Sequence, residues 1–178
     1  MVPCLWHGIY PKDIIQLYRM KEIKLQTTIR LAQSEELSEE DRLLVQRAIE
    51  ATASSYSPYS HFAVGAALRL ADGTIVIGSN QENAAFPSGL CAERTAIFAA
   101  GATHPDQAVT TLAIAARNEA GLTAEPVSPC GACRQVILEV EQRYKCPVRI
   151  LLYGTNGVYI INSVRELLPL CFVDESMR

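Results

Sequence analysis

The stretch HFAVGAALRLADGTIVIGSN, residues 61–80, is the part of the sequence that decides the fold. Two apolar runs flank the dipeptide Asp72-Gly73, which tolerates the positive φ angles of a tight hairpin. The stretch therefore predicts a strand, a turn and a second strand.

Helices and strands alternate on either side of this hairpin. Before it, SEEDRLLVQRAIEATASSY predicts an amphipathic helix with Ser38 as N-cap and Asp41 three residues on. The side chains expected to face inward from this helix are Leu43, Leu44, Ala48 and Ile49. After the hairpin, a helix begins near Cys91, and VTTLAIAAR is an apolar run typical of a strand covered on both faces.

The last third of the chain continues the alternation. SPCGACRQVILEVEQ predicts a helix with Ser128 and Pro129 at its start, PVRILLYGTNGVYIIN a hairpin around Asn156-Gly157, and SVRELLP a closing helical turn. This order predicts an α/β fold, a three-layer α/β/α sandwich with a mixed five-stranded sheet. We interpret residues 1–37 as an N-terminal extension, with Met20 as a candidate start codon, and residues 38–178 as the catalytic domain.

Composition limits the classes of protein that fit. The 178 residues are 49% hydrophobic and 20% charged, which is typical of one soluble globular domain. A net charge of −3 argues against a nucleic-acid partner. With no apolar run of about 20 residues and no signal-peptide pattern, we expect no membrane contact and a cytoplasmic location. In that reducing compartment, the six cysteines indicate metal binding or burial rather than disulfides.

Three of the cysteines stand at predicted helix starts. Cys91 begins one helix, and Cys130 and Cys133 form a C-x-x-C pair on one turn of another. A C-x-x-C pair alone is equally consistent with a redox pair or buried thiols. Helix N-termini favour thiolates, and two such starts can converge at one sheet edge. Three thiolates predict a catalytic zinc site with a position for water, because no fourth ligand has suitable spacing. The three histidines, His7, His61 and His104, are each isolated.

Two charged residues share the turn that Cys91 begins. Glu93 is two residues after a predicted ligand, where its carboxylate is the candidate proton acceptor for that water. Arg94 is the candidate counter-charge for the thiolates. The alternative is that Glu93 and Arg94 are a surface ion pair at a helix start.

Together, CAERTAI and SPCGACRQV resemble the zinc-dependent cytidine deaminases, in the small-subunit, three-cysteine branch of that family. The resemblance covers roughly residues 38–173 and includes SPYSHFAVGAAL, GSNQENAAFPSGLCAERTAI and ELLP. It implies one zinc ion per subunit and hydrolysis of cytidine and deoxycytidine to uridine, deoxyuridine and ammonia, in pyrimidine salvage.

The resemblance also assigns roles to individual residues. It implies zinc ligation by Cys91, Cys130 and Cys133, proton transfer by Glu93, and contacts to a nucleoside substrate by Phe62 (base stacking), Asn80 and Glu82 (ribose) and the backbone at Ala92 and Ser128 (base). It implies a homotetramer in which Phe172 completes a neighbour's site, with Tyr59 as a further aromatic nearby. We add the hypothesis that Arg94, with help from Gln135, donates hydrogen bonds to a ligand sulfur. For Gln135, an ordinary polar helix residue is an equally good interpretation.

Other functions fit part of the pattern. Relatives that inactivate a nucleoside antibiotic share the chemistry but lack the arginine after CAE and the N-x-E-N segment, both present here. A binding module with a closed structural zinc needs a fourth ligand that the sequence does not offer. RNA editing is disfavoured by the low positive charge.

Overall fold

The computed structural model describes residues 21–178. Cys4, His7 and the candidate start Met20 lie outside the described residues. Within residues 21–178 the α-helices are α1 (Glu39–Ala51), α2 (Ala92–Thr103) and α3 (Gly131–Tyr144). The strands are β1 (Arg30–Ala32), β2 (Ala63–Leu70), β3 (Ile75–Ser79), β4 (Val109–Asn118), β5 (Gly121–Leu122), β6 (Arg149–Gly154) and β7 (Gly157–Ile161).

One mixed sheet organises the fold. Its strand order is β1-β7-β6-β4-β2-β3, and β5 pairs with β4. The β4–β6 pair is parallel and the other pairs are antiparallel. The five predicted strands are confirmed, but in the described part of the chain the sheet has seven strands, because the short strand β5 pairs with β4 and β1 pairs with β7. β1 belongs to the part of the chain interpreted as an extension, and the division at residue 37 stays a prediction.

The helices cover both faces of the sheet, as predicted. Along β2, Ala67 packs in the apolar cluster under α1, whereas Leu68 packs in the cluster under α2 and α3. This alternation is the period of two expected for a strand buried on both faces. The three-layer α/β/α sandwich is therefore confirmed.

Two glycines allow helices to lie directly on strand backbone. A Cβ at Gly78 in β3 would collide with the backbone of Ala92 and Ala96 in α2. A Cβ at Gly65 in β2 would collide with Ala48 O in α1. The close approach at Gly78 fixes the first turn of α2, which carries the candidate site, against the sheet, and that at Gly65 does the same for the end of α1.

Helix α1 begins as predicted but faces the sheet differently. The Ser38 hydroxyl accepts a hydrogen bond from Asp41 N at 3.2 Å, which confirms the N-cap. Leu44 is fully buried, whereas the prediction for Leu43 is wrong, since its side chain is 54% exposed. Val45 takes the inward position instead. Asp41 is also buried, because its carboxylate pairs with arginines of the sheet.

The C-terminal elements follow the predicted order. The hairpin of β6 and β7 turns at Thr155-Asn156, with Gly157 at φ 141°. The closing turn is a 3-10 helix over Val164–Glu166. Among the helices of residues 21–178, none is long and apolar enough to cross a membrane.

Candidate metal centre and active site

The two helix starts meet at one edge of the sheet. Strands β3 and β4 both run antiparallel to β2, so their carboxyl ends lie at the same edge. Cys91, after β3, is the N-cap of α2, and Cys130, after β4 and β5, is the N-cap of α3. Neither N-cap side chain makes the usual hydrogen bond to the helix backbone. The first-turn N–H groups therefore add positive potential at the sulfurs.

The three predicted ligands form one sulfur cluster. Cys130 Sγ lies 3.8 Å from Cys91 Sγ and 3.5 Å from Cys133 Sγ. All three sulfurs lie within 4.8 Å of one another, and no other His, Cys, Asp or Glu of the described chain joins the group. A tetrahedral zinc ion with Zn–S bonds of about 2.3 Å spaces its sulfurs about 3.8 Å apart. The cluster thus fits zinc, and its sulfurs are too far apart for disulfides.

Within the cluster, the Cys91 sulfur favours the ionised form. Contact with the buried Cys133 thiol and a hydrogen bond from Arg94 outweigh the effect of burial and lower the pKa of Cys91 to about 5. The same contact raises the pKa of Cys133. Arg94 Nη2 lies 3.6 Å from Cys91 Sγ, and Arg94 Nε is buried without a hydrogen-bond partner among the described residues. The guanidinium therefore lies where the hypothesis of a counter-charge requires.

Glu93 is a buried carboxyl group beside this cluster. Its side chain lies in the first turn of α2, lines the cavity described below and is 4% exposed. Burial raises the pKa of Glu93, and the negative charge of Cys91 raises it further. A buried carboxyl group with a raised pKa in a cavity is typical of a general acid or base.

A cavity of about 470 Å³ opens over the sulfurs and Glu93. This volume is typical of a site for a small molecule. Its apolar lining comprises Phe62, Val64, Leu90, Ile114 and Val127. Its polar lining includes Asn80, Glu82, Glu93 and Ser128. Tyr59 and Phe86 form an edge-to-face pair in this lining, with ring centroids 6.1 Å apart, and both are exposed to solvent.

The Asn80 amide holds the start of β2. Its Oδ1 accepts from Val64 N at 2.8 Å and from Ser55 Oγ at 2.6 Å, and its Nδ2 donates to Phe62 O at 2.9 Å. One N–H of the amide remains for another partner. Asn80 is thus both a structural residue and a donor available in the cavity.

The Glu82 carboxylate is held by the loop before β2. Its Oε2 accepts from Tyr59 N at 2.9 Å and from Ser60 N at 3.2 Å. Hydrogen bonds from Ser60 and from the backbone of Tyr59 lower the pKa of Glu82. Glu82 therefore lines the cavity as an anion.

The remaining predicted site residues differ in position. Ser128 lines the cavity and its Oγ accepts from Arg134, while Ala92 is buried at the first position of α2 and does not line the cavity. Phe172 lies outside this cavity and is 60% exposed. The Gln135 amide donates to Phe172 O at 2.9 Å, and among the described residues it makes no bond to the sulfurs. The hypothesis that Gln135 helps Arg94 stays a prediction, beside the alternative of an ordinary polar helix residue.

Two features, one in the cavity lining and one in the loop beside it, were missed in the sequence. Phe86 in NAAFPSG gives no pattern of its own, because its partner Tyr59 is distant in the chain. His61 has a left-handed backbone at φ 53°, and no periodicity predicts that conformation for a residue other than glycine.

Comparison with protein families gives one match over most of the folded chain. The family model described as "Cytidine and deoxycytidylate deaminase zinc-binding region" matches residues 38–148. These residues include the three cysteines and Glu93.

Curated relatives and solved structures agree with this match. The cytidine deaminase of Halalkalibacterium halodurans is 41% identical over 138 residues, covering 76% of this chain and 96% of that protein. That of Sporosarcina psychrophila is 42% identical over 136 residues, covering 75% and 92%. The crystal structure of the cytidine deaminase from Burkholderia pseudomallei superposes with a TM-score of 0.65 at 35% identity, covering 76% of this chain and all of that one.

Proposed function

The chain belongs to the cytidine and deoxycytidylate deaminase family and is an enzyme of it, and on this premise we propose that it hydrolyses cytidine and deoxycytidine to uridine, deoxyuridine and ammonia. The observation that carries the proposal is the buried Glu93 carboxyl beside a three-sulfur cluster at a cavity. A buried carboxylate at a metal centre is the arrangement that moves protons for a hydrolytic step.

The donor set supports one zinc ion per subunit, held by Cys91, Cys130 and Cys133. When bound, zinc supplies the Lewis acidity that lets a water molecule act as a nucleophile near neutral pH. Arg94 and the two helix N-termini offset the negative charge of three thiolates. The helix turns that carry the three cysteines therefore also reduce the net negative charge around the ion.

Glu93 moves the protons of the reaction. Its carboxylate takes a proton from water, whose oxygen forms a bond to C4 of the cytosine ring, and delivers that proton to N3. The Glu93 carboxylate then takes the second water proton from the hydroxyl group on C4 and gives it to the amino group; the C4–N bond breaks, the C4 carbonyl forms, and ammonia leaves. The burial of Glu93 and its raised pKa support this role, because desolvation makes the carboxylate a better proton acceptor than an exposed one.

The cavity lining supports a nucleoside as the substrate. Phe62 offers an aromatic face for the base, and Ser128 lies near the start of α3 as the resemblance requires for a base contact. Asn80 has one N–H left to donate, and Glu82 is an acceptor for sugar hydroxyl groups. Recognition of the sugar predicts that free cytosine is a poor substrate.

The exposure of Phe172 supports a homotetramer with shared sites. Its backbone oxygen is held by Gln135 at the start of α3, while its side chain is exposed and does not line the cavity of its own subunit. In our proposal the ring completes a neighbour's site. Pyrimidine salvage and a cytoplasmic location remain predictions from the family resemblance and the composition.

Substitution of Glu93 by glutamine tests the proposal. We expect Glu93→Gln to keep its zinc and its fold but to deaminate cytidine about 10²- to 10⁴-fold more slowly, because the amide cannot act as a general base or acid. The matched control is Glu139→Gln, at an exposed glutamate of α3, which should leave turnover unchanged. Near-normal turnover by Glu93→Gln at full zinc content would contradict the proposal.

A further inference from the structure

The loop before β2 has a left-handed turn that the chemistry of the metal centre does not require. His61 has φ 53°, a conformation that is uncommon for any residue with a side chain and strongly unfavourable for β-branched residues. His61 N donates to Ser57 O at 3.1 Å, which closes the turn. The imidazole is exposed, and the unusual feature of His61 is the conformation of its backbone.

This turn aims two successive backbone N–H groups at one carboxylate oxygen. The N–H groups of Tyr59 and Ser60 both donate to Glu82 Oε2. Successive N–H groups in such a turn form a concave binding site for an anion, called a nest. Here the anion is a side chain of the same protein.

The nest fixes the orientation of Glu82 in the cavity. Both bonds go to Oε2, which leaves Oε1 to accept from a hydroxyl group of a ligand. The backbone also holds the two segments together, since Tyr56 N donates to Asn80 O at 3.0 Å and Glu82 N donates to Tyr56 O at 2.8 Å. A rigid acceptor binds a hydroxyl group at a lower entropic cost than a mobile one.

We propose that His61 is a positioning residue for recognition of the sugar. Its left-handed turn holds the N–H groups of Tyr59 and Ser60 as a nest that orients Glu82 toward the sugar hydroxyl groups of the nucleoside. This inference rests on the proposed function, which assigns the sugar to Glu82. The role belongs to the backbone conformation at this position.

A set of variants separates conformation from side-chain chemistry. His61→Val disfavours the left-handed turn, whereas His61→Gly and His61→Asn remove the imidazole and keep that conformation accessible. We expect His61→Val to raise the KM for cytidine about 3- to 10-fold and to keep kcat within about twofold. The rise in KM is smaller than for complete loss of a charge-assisted hydrogen bond, because Glu82 is still present but less well oriented. The Gly and Asn variants should keep the wild-type KM.

Lys145 provides a matched control for backbone strain. It also has φ 53° and is the C-cap of α3, at the opposite end of that helix from Cys130. Lys145→Val therefore introduces a comparable strain about 20 Å along the helix from the metal centre. We expect Lys145→Val to lower the melting temperature about as much as His61→Val does, and to leave the KM unchanged.

A double-mutant cycle with Glu82→Ala tests the route of the effect. Its readouts are the KM for cytidine and the inhibition constant of uridine, which reports binding alone. Glu82→Ala should raise both about 10- to 100-fold, and adding His61→Val should raise them no further. If Glu82→Ala does not fold, Glu82→Gln takes its place in the cycle.

The outcomes of the cycle distinguish failure of the proposed function from failure of this inference. An unchanged KM in Glu82→Ala would contradict the sugar contact in the proposed function, and this inference with it. Additive effects of His61→Val and Glu82→Ala, or equal KM changes in His61→Val and Lys145→Val, would overturn the inference alone.

Discussion

The buried ion pair under α1 leads to a stability prediction that is independent of the active site. The Asp41 side chain is 4% exposed and lies 2.6 Å from Arg149 and 3.2 Å from Arg69. Removing one partner of a fully buried pair costs about 3–5 kcal/mol, because the remaining charge is left without compensation. The two arginines are 35% and 18% exposed, so water compensates them in part. For Asp41→Asn we therefore expect a loss of about 2–4 kcal/mol in the free energy of unfolding.

This loss should depend on pH in a defined direction. Burial raises the pKa of Asp41, but Arg149, with hydrogen bonds from Ser38 and Arg69, outweighs burial and holds the pKa below its usual value. A lowered folded-state pKa stabilises the protein above the unfolded-state pKa of about 3.9, and this contribution is lost as the pH falls through the folded-state value. The difference between wild type and Asp41→Asn should be complete at neutral pH and shrink below about pH 4.

Denaturant unfolding at pH 7 and pH 3.5, with thermal melting, measures both effects. A loss of this size lowers the melting temperature by about 5–15 °C in a domain of this length. The control is Glu50→Gln on the same helix, where an exposed pair with Arg47 is worth less than about 1 kcal/mol. Turnover at 25 °C should not change, because α1 covers the opposite face of the sheet from α2 and α3. Equal losses for Asp41→Asn and Glu50→Gln would refute the reasoning.

Two further predictions concern the metal centre. Cys133→Ala should lose zinc and melt at a lower temperature, because the ion ties α2 to α3, whereas Cys146→Ala, outside the cluster, should keep its zinc content by metal analysis. Arg94→Gln should retain zinc but turn over cytidine more slowly, because Cys91 Sγ loses its guanidinium donor. Equal rates for Arg94→Gln and wild type at equal zinc content would contradict a role for this charge.

Local signals predicted the local structure well. The Ser38 cap, the Asp72-Gly73 hairpin and the buried strand β4 all follow from residues close in sequence, and the structure has each of them. The prediction that Leu43 faces inward was wrong because the adjacent Leu43 and Leu44 allow two similar choices of the inward helix face. The short strand β1 was missed because its pairing with β7 depends on residues more than a hundred positions away.

The site was predictable to the extent that it lies on helix starts. The positions of Cys91, Cys130 and Cys133 at first turns indicate convergence, and the structure brings their sulfurs together. The bond from Gln135 to Phe172, the pairing of Tyr59 with Phe86 and the left-handed turn at His61 depend on tertiary contacts or backbone angles. No spacing of residue types encodes these features.

The most direct test of the account is the ultraviolet assay of the purified full chain with cytidine and with free cytosine, at a measured zinc content. We expect about one zinc per subunit, conversion of cytidine to uridine with release of one ammonia per uridine, and little conversion of cytosine. Folded, zinc-loaded protein that leaves cytidine unchanged would contradict the central claim.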